Sequence, residues 1–324
     1  MSTSVAVSPT PVPAVKPSLW SRLKGGDQIA YLISITFAAL VLLLAVAIFW
    51  VLWKESLLAR HRFGFGFFTS QAWDHNNDVY GALPFIYGTL LTSVLALLIS
   101  IPLGVGAAIF LAELAPPRLS NALTFLVELL AAVPSVIYGL LAIFAVVPLL
   151  RDYVEPALKG TLGFLPLFSG QIFGFSYLAA GLVLAIMTFP FIISVSRESL
   201  LDVPRDQREA ALALGATHWE STWDVVVPFA RLGIMGSIFL GLARALGETM
   251  AVTMVIGNSP RISASLFASG YTIASAIANE FAEASSDIFR SSLIYLALVL
   301  FLLTIVINGA ARLLIVATTR KGSS

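Results

Sequence analysis

The sequence predicts an all-α integral membrane protein with six transmembrane helices. Hydrophobic residues make up 58% of the 324 residues and charged residues only 11%, whereas a soluble domain carries about 25% charged residues. Six apolar stretches are long enough to cross a bilayer, since a helical span needs about 20 residues. The chain has no cysteine, which excludes disulfides and thiol chemistry.

The segment before the first span is polar and rich in proline. Residues 1–28 contain Pro9, Pro11, Pro13 and Pro17 without hydrophobic periodicity, which predicts a disordered tail rather than a signal peptide. The first span, 29–53, is almost uniformly apolar and is typical of a peripheral, lipid-facing helix. The other predicted spans are 84–112, 121–150, 177–200, 233–256 and 292–316, and residues 317–324 form a short second tail.

Spans two, three and five each place small and polar residues on one helical face, a pattern that allows close helix packing in lipid. A charge at the bilayer centre costs about 2.5–3.5 kcal/mol on insertion scales, so Glu128, Arg244 and Glu248 indicate a polar cavity or a partner. Pro134 is expected to kink span three. The three faces are Thr89, Ser93, Ala96, Ser100, Gly104 and Ala107; Thr124, Glu128, Ala132, Ser135, Gly139 and Ala142; and Gly233, Ser237, Gly241, Arg244, Ala245 and Glu248.

Six spans put both termini on one side of the membrane. Lysine and arginine outside the spans are more numerous on that side, which moderately favours a cytoplasmic location for both termini. The loops 54–83, 151–176 and 257–291 then lie outside, and the third contains a predicted short helix within residues 268–284, at the membrane surface.

The connector between spans four and five, about residues 201–232, is the most charged part of the chain. It contains Glu209, Ala210, Ala211, then Gly215, and ends in an apolar-x-apolar-Pro pattern at Pro228. This spacing resembles the EAA loop of type I (MetI-like) permeases of binding-protein-dependent ABC importers. The resemblance implies that the loop docks on an ATPase and is cytoplasmic. Its pattern predicts a short helix, a turn at Gly215 that a Cβ would penalise, and a second helix ending near Pro228.

Residues 128–139 and 242–258 resemble the PstC family of permeases from bacterial phosphate-specific ABC importers. The resemblance covers residues 80–316 and implies a five-span permease domain, with span one as an addition. It implies phosphate translocation by alternating access across the bacterial cytoplasmic (inner) membrane. The implied partners are a homologous PstA-like permease subunit, two PstB-like ATPases that bind ATP and Mg, and a periplasmic PstS-like phosphate-binding protein. The small-residue faces are expected to pack against the homologous subunit.

The candidate substrate-pathway residues are Arg244, Glu248, Glu128 and Ser135. Arg244 and Glu248 are four residues apart in a predicted helix, so their side chains should meet on one face. Two interpretations remain open: a structural ion pair, or a transient oxyanion site in which the planar guanidinium binds phosphate and the carboxylate weakens that binding.

No catalytic, metal or nucleic-acid site is predicted in this chain. His61, His75 and His218 lack metal-site spacing, and no G-x-x-x-x-G-K-[ST] loop for ATP occurs. We therefore expect no enzyme activity and no cofactor here, because ATP hydrolysis is left to a partner. Two alternatives remain: a permease of the same fold for sulfate or molybdate, and a secondary transporter that works alone, against which the charged connector argues.

Overall fold

The computed structural model describes residues 27–320, and within them the side chains of residue 28 and residues 30–313. The predicted tail 1–28 lies almost wholly outside the described residues, as do residues 321–324 of the second tail. The chain divides into two units, Met1–Val51 and Leu52–Ser324.

Six helices of the described chain are long and apolar enough to cross a membrane, which confirms the predicted number of spans. Each stays helical because a helix satisfies its own backbone hydrogen bonds in lipid. The six are α1 (Asp27–Glu55), α4 (Leu83–Leu114), α6 (Ser135–Leu162), α7 (Tyr177–Leu201), α9 (His218–Gly247) and α12 (Asp287–Arg320).

The first unit is formed by most of α1. This helix has no polar face: between Ala30 and Trp53 its residues are apolar apart from Ser34 and Thr36. Thr36 donates its hydroxyl to the Leu32 carbonyl at 2.7 Å, so its polar group is satisfied within the helix. The first span is thus an apolar helix added before the second unit.

The core of the second unit is the pair α4 and α7, which pack through small residues. A Cβ on Gly104 would lie 2.8 Å from Ile192, and one on Gly181 would lie 2.8 Å from Leu95. Thr89, Ser93, Ala96 and Ser100 of the same face are buried. The small-residue face of span two is therefore filled within this chain, and the expectation that it packs against a homologous subunit is wrong.

The small-residue face of span five is also covered by another helix of this chain. Ser237 of α9 hydrogen-bonds Ser196 of α7 at 2.7 Å between the two hydroxyls, and Gly241 lies against Ile192. Another side of α9, about 100–120° around the helix from this face, is open: added Cβ atoms on Gly236 and Gly247 would meet nothing within 4 Å.

The third span differs from the prediction of one helix over 121–150. Helix α5 (Pro117–Ala131) ends with Ala132 as its C-cap, and α6 begins anew at Ser135 and continues to Leu162. Pro134 between them is extended (φ −58°, ψ 140°) and has no backbone N–H to continue the ladder. Glu128 and Ser135 therefore belong to different helices, and the predicted continuous polar face does not exist.

Three prolines inside spans are accommodated by π-helical turns. Segments Ala142–Val146, Leu150–Val154 and Ser221–Val226 are π-helical. Each is followed directly by a helical stretch with proline at its second residue, namely Pro148, Pro156 and Pro228. The wider turn absorbs the missing hydrogen bond of the proline. For this reason the second helix of the connector does not end near Pro228, as predicted, but runs on as α9.

The fifth span is interrupted near its other end. Helix α9 stops at Gly247, Glu248 is extended (φ −68°, ψ 129°), and a separate short helix, α10 (Met250–Val255), follows. Ala251, Val252 and Val255 of α10 are fully buried. The predicted uninterrupted helix 233–256 is therefore two helices with a break inside the bundle.

The loop regions hold short elements. A two-residue antiparallel pair, β1 (Trp73–Asp74) and β2 (Val79–Tyr80), was not predicted. The predicted short outer helix is present as α11 (Ile273–Glu280), but its first turn is buried rather than surface-lying. The remaining helices are α2 (Leu57–Phe63), α3 (Gly66–Thr69) and α8 (Arg205–Ala213).

Glu280, at the end of α11, contacts side chains of β1 and the turn that follows it. Trp73 Nε1 donates to Glu280 Oε2 at 2.8 Å, and His75 Nε2 lies 3.7 Å from the same oxygen. Burial raises the pKa of the Glu280 carboxyl above its ordinary value, against the opposing effect of the Trp73 hydrogen bond.

Candidate functional site

The two interrupted spans meet at their breaks. An added Cβ on Gly139, in the first turn and a half of α6, would lie 2.6 Å from Met254 Sδ and 3.0 Å from Ala251 Cα of α10. Tyr138 donates its hydroxyl to the Leu130 carbonyl at 2.7 Å and so links α6 to the end of α5. Non-helical backbone at membrane depth is tolerated where it is buried in protein or lines a cavity, and broken helices often mark transporter binding sites.

Arg244 lies in the last turn of α9, beside this junction. Its guanidinium carbon sits 4.4 Å from the ring centroid of Phe191 on α7. Arg244 Nε is buried without a hydrogen-bond partner. Among the described residues no carboxylate lies within 4.0 Å of it. The structure therefore gives Arg244 an aromatic support and no counterion.

Glu248 does not pair with Arg244. Because α9 ends at Gly247, the carboxylate leaves the helical face on which four-residue spacing would bring the two together. Its Oε1 instead accepts a hydrogen bond from the Ala251 backbone N–H at 3.3 Å, in the first turn of α10. The predicted meeting of the two side chains is wrong, and with it the interpretation as an intrahelical ion pair.

Glu128 and Ser135 flank the α5–α6 break. Glu128 is exposed near the end of α5, about one turn before the break in the third span. Ser135 is half-buried at the start of α6. Neither side chain hydrogen-bonds to another described residue. The structure brings both to the region of Arg244 through the Tyr138–Leu130 link, but not into one contacting cluster.

The EAA segment folds as a helix, a turn and a second helix. Helix α8 ends at Ala213, and Gly215 has a φ of +95°, a left-handed conformation that glycine adopts without steric cost. A capping box follows: Thr217 Oγ1 accepts from Glu220 N–H, and Glu220 Oε2 accepts from Thr217 N–H at 2.8 Å. The predicted turn at Gly215 is therefore present and is fixed locally.

This turn presents an exposed surface. Leu214 is 91% exposed, and a shallow cavity of about 530 Å³ is lined by Ala210, Ala211, Leu214, Gly215 and neighbouring side chains. Glu209 is exposed on the same helix. An exposed leucine beside small residues is the kind of apolar surface that suits another protein.

Arg208 anchors the EAA segment to two spans. Its Nη2 lies 2.7 Å from Glu113 Oε1 at the end of α4 and donates at 2.7 Å to the Leu200 carbonyl of α7, while Nη1 donates to the Val203 carbonyl. The side chains of Arg208 and Glu113 are 20% and 11% exposed. One guanidinium thus connects α8 with the ends of α4 and α7.

Sequence reasoning missed Arg208, Glu113, Tyr138 and Phe191. The Arg208–Glu113 pair joins residues 95 apart in the chain, and no local pattern reveals such a contact. The only available signal was the rarity of charge: Glu113 directly follows the apolar span predicted over 84–112, and an acidic residue at the end of a span favours a partner.

Comparisons with known proteins agree with this architecture. Residues 100–319 match the family described as binding-protein-dependent transport system inner membrane component. A chain of the bacterial alginate ABC transporter, solved in complex with an alginate pentasaccharide-bound periplasmic protein, aligns with a TM-score of 0.56 at 14% identity. The alignment covers 90% of this chain and 95% of that chain, and shows likeness of fold alone.

Curated relatives are similar along most of the chain. The phosphate transport system permease protein PstC of Mesorhizobium japonicum is 46% identical over 290 residues, 88% of this chain and 89% of that protein. PstC of Pasteurella multocida is 47% identical over 289 residues, covering 88% and 90%. The probable PstC of Methanocaldococcus jannaschii is 38% identical over 282 residues, covering 85% and 88%. The chain therefore belongs to the inner-membrane permeases of binding-protein-dependent transport systems and, within them, to the PstC family.

Proposed function

We propose that this chain is the permease subunit of an ATP-driven importer of inorganic phosphate in the bacterial cytoplasmic membrane. The observation that carries the proposal is the similarity, along nearly nine-tenths of the chain, to relatives named phosphate transport permeases. The chain itself hydrolyses no ATP; a separate ATPase that binds ATP and Mg supplies the energy.

Arg244 is the residue that receives phosphate in this proposal. An arginine without a counterion inside an apolar bundle is costly, so its charge calls for an anionic ligand. The planar guanidinium donates two parallel hydrogen bonds to a phosphate oxyanion. Glu248, fixed by the Ala251 N–H, together with Glu128 at the other break, limits how tightly the anion is held, and the Ser135 hydroxyl offers the anion a hydrogen-bond donor. A transport site must release its ion, so weak binding is required.

The EAA segment couples the ATPase to the pathway. Leu214 and the small residues Ala210, Ala211 and Gly215 form the surface that enters a groove of a PstB-like ATPase. Movement of α8 reaches α4 and α7 through Arg208, and reaches Arg244 through α9, which is continuous from His218. Alternating access follows if this movement opens and closes the junction of the two broken spans.

The full importer contains two permease subunits, two ATPases and a periplasmic binding protein. The open side of α9, with Gly236 and Gly247, is the surface of this chain that is free for a homologous PstA-like subunit. The termini and the EAA segment lie in the cytoplasm, and a PstS-like protein delivers phosphate to the opposite side.

The test is phosphate uptake by phosphate-starved cells with and without the gene. We expect deletion to abolish high-affinity phosphate uptake and the gene on a plasmid to restore it, with sulfate and molybdate uptake unchanged. Loss of sulfate or molybdate uptake instead of phosphate uptake would assign another oxyanion. Uptake by the purified chain alone in liposomes would favour a stand-alone transporter and reject the importer.

A further inference from the structure

A second guanidinium without a counterion lies at the EAA-loop end of α7. Arg197 is half-buried, and its Nε is enclosed without a hydrogen-bond partner. In the described part of the chain no carboxylate lies within 4.0 Å of it. Arg197 follows Tyr177, the first residue of α7, by about 30 Å of helix, which places it at the edge of a hydrocarbon core of about 30 Å. A buried N–H donor without an acceptor is costly, so the enclosed Nε of Arg197 calls for a ligand.

Helix α5 supplies the other polar groups at this place. Arg197 Nη2 donates to Ser120 Oγ at 3.3 Å, and Ser120 donates its own proton to the Leu111 carbonyl at 2.7 Å. Thr124, one turn further along the same face of α5, has a buried hydroxyl oxygen with no partner. Two enclosed donor groups without acceptors, Arg197 Nε–H and the Thr124 hydroxyl, therefore belong to adjoining helices.

The same helix α5 runs from Arg197 to the junction of the two broken spans. Its beginning contacts Arg197 through Ser120, and its end contacts Tyr138 of the junction through the Leu130 carbonyl. Along α7, Phe191 under Arg244 and Arg197 are six residues apart, about 9 Å along the axis. Both unpaired guanidinium groups thus lie beside α7, Arg244 nearer the breaks and Arg197 nearer the EAA segment.

We propose that Arg197 and Thr124 form a second oxyanion site, which takes inorganic phosphate after Arg244 and discharges it on the EAA-loop side. This inference rests on the proposed function, since it assigns an exit step to the same substrate. Two donors suit one tetrahedral anion and bind it weakly, as release requires. The long contact with Ser120 is one that an incoming phosphate oxygen can replace. A lipid phosphate headgroup has the same chemistry, so the test must separate these two sources.

The direct test measures how fast Arg197 reacts with phenylglyoxal, which modifies free guanidinium groups. The whole transporter is reconstituted in phosphatidylcholine vesicles and treated in potassium phosphate or in potassium chloride of equal ionic strength, and modified peptides are identified by mass spectrometry. Arg118, exposed at the start of α5, is the internal control. We expect phosphate to slow modification of Arg197 about tenfold, the effect of a hydrogen bond to a charged group, and to leave Arg118 unchanged.

A parallel arm replaces part of the phosphatidylcholine by anionic phosphatidylglycerol. If Arg197 is protected only in these vesicles, and free phosphate has no effect, the site holds a lipid headgroup and the proposal is overturned. Equal modification under all conditions also overturns it. Phosphate uptake by the same vesicles is recorded in each case, so a failed exit site is distinguished from a failed phosphate importer.

Variants extend the test to transport. Arg197→Gln is expected to lower phosphate turnover about tenfold, the cost of one charge-assisted hydrogen bond. The phosphate concentration for half-maximal uptake should stay unchanged, because the binding protein sets it. Arg197→Lys keeps the positive charge but loses the planar guanidinium that donates two parallel hydrogen bonds, so its phosphate turnover should be intermediate. Thr124→Val, which removes only the hydroxyl, should weaken phosphate protection of Arg197 even if Arg197→Gln fails to fold. Normal protection in Thr124→Val and normal turnover in Arg197→Gln contradict the proposal, and Arg118→Gln is the matched control.

Discussion

Truncating Arg208 should uncouple ATP hydrolysis from phosphate uptake. Arg208→Ala leaves the Glu113 carboxylate, only 11% exposed, without its cation and leaves the Leu200 and Val203 carbonyls without their donor. Removing one partner of a buried ion pair costs about 3–5 kcal/mol. Because the ion pair is partly accessible to solvent, the lower value, about 3 kcal/mol, is the appropriate one. It corresponds to about a hundredfold shift in the equilibrium between α8 held against α4 and α7 and α8 released from them.

The assay is the ratio of phosphate transported to ATP hydrolysed, measured in proteoliposomes that contain the whole transporter. We expect Arg208→Ala to insert and to assemble with the ATPase, since the α8 surface formed by Leu214 and its neighbours is unchanged. ATP hydrolysis should continue while the transport ratio falls at least tenfold, because α8 then moves without α4 and α7. Arg205→Ala is the control, since Arg205 is exposed on the same helix and has no ion-pair or hydrogen-bond partner among the described side chains.

The charge-reversed pair, Arg208→Glu with Glu113→Arg, separates geometry from simple attraction. It restores opposite charges but places a carboxylate against the Leu200 and Val203 carbonyls, so we expect only partial recovery of the transport ratio. A normal ratio in Arg208→Ala at normal expression would refute the reasoning, because α8 would then transmit its motion without this anchor.

Three further predictions concern separate parts of the chain. Gly215→Val forces a β-branched residue into a left-handed turn at a cost of about 1–2 kcal/mol and should uncouple ATP hydrolysis, whereas Gly215→Asn should be milder; the transport ratio measures both. Arg244→Gln should reduce phosphate uptake by about ten- to a hundredfold. The charge swap Arg244→Glu with Glu248→Arg should not restore uptake, because the Glu248 carboxylate accepts a hydrogen bond from the backbone of α10 and does not pair with Arg244. Burial raises the pKa of Glu280 in the folded state, so the stability of the wild-type protein should fall as pH rises through that raised pKa. Glu280→Gln can still accept the hydrogen bond from Trp73 and should remove this fall. Thermal unfolding of the purified transporter at different pH values measures both.

Each of these predictions has a result that contradicts it. Equal coupling in Gly215→Val and Gly215→Asn would show that the turn conformation does not matter; the space around Gly215 is open, so crowding is not an alternative cause. Near-normal uptake in Arg244→Gln would remove the pathway role, and recovery in the swapped pair would revive the ion pair. A pH dependence of unfolding that persists in Glu280→Gln would trace it to other groups.

The number of spans followed from the sequence because span length and apolarity are set by the bilayer itself. The turn at Gly215 followed for a similar reason: a glycine between a helical run and a capping box dictates its own backbone conformation. These features depend on residues close together in the chain, so they can be predicted without knowledge of the tertiary contacts.

The breaks in the third and fifth spans did not follow from helical periodicity. A proline inside an apolar run predicts a kink, a π-turn or a full break equally well, and Pro134, Pro148 and Pro228 show two of these outcomes. Gly247 and Thr249 on either side of Glu248 are residue types that favour a helix end and a helix start, but inside an apolar run this signal is weak. The conformation of Glu248 depends on α10 packing against α6 and α7, which the local sequence does not encode.

The sequence indicated which residues to consider for the candidate site but not how their side chains are arranged. Charge in an apolar chain drew attention to Arg244, whose Nε is buried beside the junction without a hydrogen-bond partner among the described residues. The assumption of an unbroken helix then led to the wrong partner, Glu248. Phe191, which does contact Arg244, is one aromatic among 22 phenylalanines and carries no distinguishing signal.

The central claim, that this chain carries phosphate only as part of an ATP-driven assembly, is tested by reconstitution. The chain is placed in proteoliposomes with its PstA-like and PstB-like partners and a PstS-like binding protein, and uptake of labelled phosphate is measured with and without ATP. We predict phosphate accumulation that requires ATP, the binding protein and this chain together, and that labelled sulfate does not share. Phosphate uptake without ATP or without the partners, or a preference for sulfate, would contradict the account.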